Sequence, residues 1–153
     1  LARKLGTVTY RGAREFDTRF GRRRVAEPGA PDGEPRPFEI ESYLEHQAQR
    51  FSEIFDANCF LALSRAMDEF DLAEHGGNLE QAFARFRAMD ALVIGVETDI
   101  LFPIHQQREV GTGLEAAGAR VEFHAFPSAA GHDSFLVVLP RFEAAIGGFL
   151  GRR

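Results

Sequence analysis

This 153-residue chain has one cysteine, no tryptophan and no Gly-x-Ser-x-Gly sequence, and it lacks any apolar run long enough to span a bilayer. Cys59 alone cannot close an internal disulfide or build a zinc site unaided, which points to a reducing, cytoplasmic setting. A membrane helix needs about 20 consecutive apolar residues, and residues 1–10 lack the apolar middle of a secretion signal, so no membrane partner is expected. Basic residues are the minority, 18 Lys and Arg against 23 Asp and Glu, giving a formal charge of −5. A general nucleic-acid binder needs a basic face to neutralise phosphates, and that class is excluded. His46, His75, His105 and His124 share no ligand spacing with one another or with Cys59, so no metal is expected.

Hydrophobic residues make up 44% of the chain and phenylalanine alone accounts for 15 positions, enough for the core of one domain. The first 75 residues are charged and helical in pattern. Leu44, Ala48, Phe51 and Phe55 recur at helical spacing; so do Phe60, Leu63, Met67 and Phe70 after a break at residues 56–58, where Asp56 or Asn58 can cap the second helix. Residues 27–37 hold four prolines and two glycines and read as a surface loop. Further on, Asn78 and Gln81 resemble a capping box ahead of the stripe Leu79, Ala82, Phe83 and Phe86. Residues 92–96 are apolar in succession, as in a parallel strand covered on both faces. A helix over 104–117 closed at Gly118, a strand over 121–126 and a last helix after Pro140 complete an α-β-α-β-α order. Two strands make a poor sheet, so further strands are expected from chain lying upstream. The sequence begins at Leu1 rather than methionine, in keeping with the C-terminal part of a longer enzyme.

Asp99 closely follows the first strand, and His132 lies in the loop beyond the second. Sites in open α/β sheets form beyond the C-terminal ends of strands. An acid after one strand and a histidine after the next is the closing order of a Ser…Asp…His triad in α/β-hydrolases, with the serine upstream. There a carboxylate accepts the imidazole Nδ1–H, fixes its tautomer and stabilises the imidazolium formed when histidine takes a hydroxyl proton. Cys59, within an apolar helical pattern, reads as a small buried hydrophobe rather than a nucleophile. Arg19, Arg22, Arg23 and Arg24, near Arg11 and Arg14, read as a solvated helix end, with coenzyme A phosphates the alternative.

Four stretches carry a resemblance: "TYRG" at residues 9–12, "FEIESYLEHQAQRFSEIFDANCFLALSRAMDEFD", "VIGVETDILFPIHQQRE" and "GHDSFL". They resemble the C-terminal half of the homoserine O-acetyltransferase family, whose relatives also use succinyl-CoA or serine. The resemblance implies the C-terminal part of an α/β-hydrolase fold with an incomplete sheet: a helical lid over residues 1–75, then the α/β portion over 76–153. It implies two-step acyl transfer from acetyl-CoA or succinyl-CoA to the hydroxyl of homoserine or serine, supporting methionine or cysteine synthesis, with no cofactor and a homodimer built on the lid helices. By the same resemblance Asp99 and His132 are the triad acid and base, Arg3 holds the acceptor carboxylate, Asp133 pairs with its amino group, and Tyr10 lines the access tunnel. Arginine suits a carboxylate because its planar fork matches two oxygens. An esterase of the same fold and a noncatalytic assembly module are the alternatives.

Overall fold

The computed structural model describes residues 1–26 and 36–152. The expected Pro/Gly loop therefore lies, from Glu27 to Pro35, outside the described residues. The first half is helical: α1 (Ala2–Tyr10), α2 (Ala13–Arg19), α3 (Glu39–Ile54) and α4 (Ala57–Asp68), followed by a 3-10 turn at Leu72–His75. Gly12, extended at φ −74° and ψ 146°, separates α1 from α2. At the start of α3 the Phe38 amide donates to the Glu41 carboxylate at 2.6 Å. Asp56 rather than Asn58 caps α4, its Oδ1 accepting from the amides of Asn58 at 2.6 Å and Cys59 at 3.1 Å. These bonds satisfy amides that the first turn of a helix leaves unpaired.

Helix α1 lies on α3. Helix α4 buries none of its residues, and its stripe of Phe60, Leu63 and Met67, with Phe70 just beyond, is more than half exposed. Cys59 is exposed as well, which corrects the expectation of a buried thiol. The pattern is amphipathic, but no described element covers its apolar side.

The second half carries the sheet. Asn78 caps α5 (Leu79–Ala84) by accepting the Gln81 amide at 2.8 Å. The helix stops short of Phe86, because the chain turns through Ala88 at φ 62° to enter β1 (Asp90–Val96). Helix α6 (Ile104–Ala116) crosses to β2 (Arg120–Phe126), which runs parallel to β1 with Val93 opposite Phe123 and Val96 opposite Phe126. Gly118 ends the crossover at φ 89°, a left-handed position open to glycine at no steric cost. A 3-10 turn at Gly131–Asp133 then leads into α7 (Ser134–Val137) and α8 (Leu139–Leu150).

Val93, Val96, Leu114 and Phe126 form the buried centre where α6 meets the strands. The other edge of β1 has no strand beside it among the described residues. The surface of 11016 Å² is well above the roughly 7,700 Å² expected of a compact monomer of this mass. Much apolar area around β1, α4 and α7 is thus left uncovered, as in part of a larger sheet fold.

Candidate active site

Asp99 lies three residues past the end of β1, in the turn that leads to α6. Its Oδ1 accepts the amides of Leu101 at 2.8 Å and Phe102 at 3.0 Å. Its Oδ2 stands 2.9 Å from His132 Nδ1. The first two bonds fix the carboxylate plane, and the remaining oxygen is left to the imidazole. Asp99 both caps its turn and holds the histidine. Its side chain is 8% exposed and that of His132 20%, so water competes weakly for the bond. His132 Nε2 has no hydrogen-bond partner among the described residues. An imidazole held at Nδ1 and open at Nε2 is arranged to take a proton from a hydroxyl.

Aromatic rings hem the imidazole in: Phe102 at 5.0 Å, Tyr10 at 5.6 Å and Phe135 at 6.0 Å between centroids. Below it, the loop is tied by side chains to which the sequence reading gave no role. The Ser134 hydroxyl, fully buried, donates to the Gly131 carbonyl at 2.6 Å and lies 2.9 Å from the Ser128 hydroxyl. Thr98 Oγ1 donates to the Ser128 carbonyl, linking the ends of the two strands. None of the described serines hydrogen-bonds His132.

The α1–α2 joint meets this loop backbone to backbone. A Cβ on Gly12 would fall 2.3 Å from the Ala129 carbonyl oxygen. That contact brings Tyr10 to His132, and it brings Arg11 to Asp133.

Arg3, on α1, stacks over Phe51 at 4.5 Å and lies 5.6 Å from the Tyr10 ring centroid. Its Nε is buried without a hydrogen-bond partner, and no described carboxylate pairs with it. Asp133 is already engaged, its Oδ2 lying 2.9 Å from Arg11 Nε. Arg11 in turn holds Glu15 through Nη1, at 3.0 and 3.3 Å from the two oxygens. Arg11 is therefore drawn into the site and away from the arginine cluster. Its place in "TYRG", one residue after Tyr10, was the available signal. In the cluster itself, Arg19 stacks on Phe20 and Tyr43, Arg24 stacks on Phe38, and Arg23 pairs with Glu39 at 2.9 Å. Among the described residues no group of three or more His, Cys, Asp or Glu is placed to hold a metal ion, and no helix is long and apolar enough to cross a membrane.

Known proteins resemble this chain in sequence and in fold. No protein-family model matches the chain. It is 55% identical over 153 residues to a serine O-succinyltransferase of Frateuria aurantia and 51% identical over 154 residues to an L-serine/homoserine O-acetyltransferase of Streptomyces lavendulae. The alignments cover 98% and 97% of this chain but 41% of each relative, so the chain spans about two fifths of their length. A homoserine O-acetyltransferase structure from Bacillus anthracis superimposes at a TM-score of 0.81, with 22% identity, over 99% of this chain and 40% of that one. An esterase does so at 0.72, with 25% identity, over 96% and 40%. The chain thus has part of an α/β-hydrolase fold and is similar over nearly its whole length to these serine and homoserine acyltransferases.

Proposed function

We propose that this chain supplies the acid and base of an acyltransferase that moves an acetyl or succinyl group from coenzyme A to the hydroxyl of serine or homoserine. The observation that carries the reading is the Asp99–His132 bond of 2.9 Å between groups from two different strand ends. The nucleophilic serine comes from chain outside the described residues, brought in along the open edge of β1. In the first step His132 Nε2 takes the serine proton as Oγ attacks the thioester carbonyl. The C–S bond then breaks, and the proton passes to the departing thiolate. In the second step the same nitrogen takes the acceptor's hydroxyl proton as its oxygen attacks the acyl-serine, the bond from the acyl carbon to serine Oγ breaks as the new ester forms, and the proton passes to that Oγ. Asp99 stabilises the imidazolium in both.

Arg3 and Asp133 complete the reading as the subsites for an amino acid's carboxylate and ammonium. A guanidinium without an acidic partner on α1 and, next to His132, a carboxylate with one oxygen outside its ion pair suit the two charges of a zwitterion. Residues 1–75 act as the lid and 76–153 as the α/β portion. The uncovered apolar stripe of α4 supports a homodimer through the lid. The relatives' names support the acyl transfer to serine or homoserine; the reading extends to acyl-CoA as co-substrate, no bound cofactor, and an enzyme of methionine or cysteine synthesis in the cytoplasm. A chimera in which this chain replaces the matching 41% of the Frateuria aurantia enzyme tests it. With succinyl-CoA or acetyl-CoA, coenzyme A release is expected to depend on added serine or homoserine. Equal release without acceptor indicates an esterase and contradicts the proposal.

A further inference from the structure

We infer that Arg11 and Glu15 are positioning residues that tune Asp133 for the acceptor's ammonium group, an inference that rests on the function proposed above. Asp133 Oδ2 forms an ion pair with Arg11 Nε at 2.9 Å, and its Oδ1 lies outside that pair. The pairing holds the carboxylate beside Arg11 and leaves Oδ1 open to a second partner. An Asp–Arg pair by itself is neutral, however, and attracts an ammonium ion poorly. Glu15 corrects this. Both its oxygens lie within 3.3 Å of Arg11 Nη1, so the trio carries a net charge of −1. The exposed fraction is 18% for the Arg11 side chain, 20% for Asp133 and 22% for Glu15, so their charges are only partly screened by water.

The arrangement follows from the chain's path. Arg11 is the C-terminal cap of α1, and Glu15 lies in the first turn of α2, four residues on. The glycine at position 12 lets that joint press against the loop carrying His132 and Asp133, so the lid-side helices set the charge of a carboxylate next to the base. The ammonium subsite then belongs to both halves of the chain. Its selectivity is for a cationic amino group, so an acceptor that offers only a hydroxyl gains nothing from it.

The chimera described above tests the inference in steps that separate it from the proposed function. Acceptor-dependent turnover, with a raised acceptor KM in Asp133→Asn, supports the ammonium subsite; an unchanged KM in that variant overturns the subsite and this inference together. Once that holds, Glu15→Gln keeps the Arg11–Asp133 ion pair but removes the compensating charge. Its acceptor KM is expected to rise about fivefold, well beyond any change in the burst of coenzyme A released on acylation. Arg11→Ala is expected to raise KM about tenfold, with partial rescue in Arg11→Lys. An unchanged KM in Glu15→Gln, or equal losses in both half-reactions, overturns the tuning role and leaves Asp133 as the subsite.

Discussion

Gly131 rests on the joint that carries Gly12: a Cβ on Gly131 would fall 2.8 Å from the Gly12 nitrogen and 3.0 Å from the Tyr10 carbonyl oxygen. Gly131 also has φ 63°, a left-handed position that costs other residues about 1–2 kcal/mol. Two demands therefore fall on the residue just before the proposed base.

Replacing Gly131 by alanine should cost more than the conformational penalty alone, because the added methyl group meets backbone that cannot rotate away. We expect a loss of at least about 2 kcal/mol, measured by urea unfolding. The same variant should displace His132 from Asp99. An unchanged unfolding midpoint would show that the joint is looser than the contact implies.

Asp99→Asn keeps the shape of the side chain and can still accept the Leu101 and Phe102 amides through its carbonyl oxygen. It presents an amide where the imidazole needs an anion. In the chimera kcat should fall by roughly four orders of magnitude, with His132→Ala at least as severe. Near-normal turnover in either variant removes the pair from the chemistry.

Asp56 caps α4 through two amides at an exposed site. Asp56→Ala should lower stability by about 1 kcal/mol, whereas Asn58→Ala should have little effect. Equal losses from both substitutions would mean that the helix start is shared between them.

Glu122 titrates below its ordinary value of 4.5, chiefly because His124 Nε2 hydrogen-bonds its carboxylate, with Arg152 adding a second bond. A depressed carboxylate stabilises the fold above the unfolded pKa, and that contribution disappears as pH falls through the folded value. Between about pH 5 and pH 3, the unfolding midpoint should therefore fall less steeply in Glu122→Gln than in the unsubstituted chain. Parallel curves would show that the pair contributes nothing, as many exposed ion pairs do.

Much of the α/β half was legible because its signals are local. The unbroken apolar run over 92–96, Gly118 at the crossover's end and Asn78 at a cap each act within a few residues. Strand ends then located Asp99 and His132, since chain order alone says which loops share a sheet's rim. The helical half was legible as helices and misleading as packing: Cys59 and the α4 stripe have a core-like spacing, yet nothing described covers them. Arg11 was harder to place, because its partner Asp133 lies 122 residues away in sequence and meets it only through the contact of Gly12 with the histidine loop. Periodicity carries no information about such a contact. A carboxylate already occupied on one side is likewise invisible until the chain is folded.

The central claim is that Asp99 fixes His132 with Nε2 bare and ready to accept a proton. Nitrogen-15 NMR of the neutral imidazole reads this directly. The account predicts a protonated Nδ1 coupled to a downfield proton and an unprotonated Nε2, both signatures lost in Asp99→Asn. A neutral His132 that carries its proton on Nε2, or a spectrum indifferent to the loss of the Asp99 charge, contradicts it.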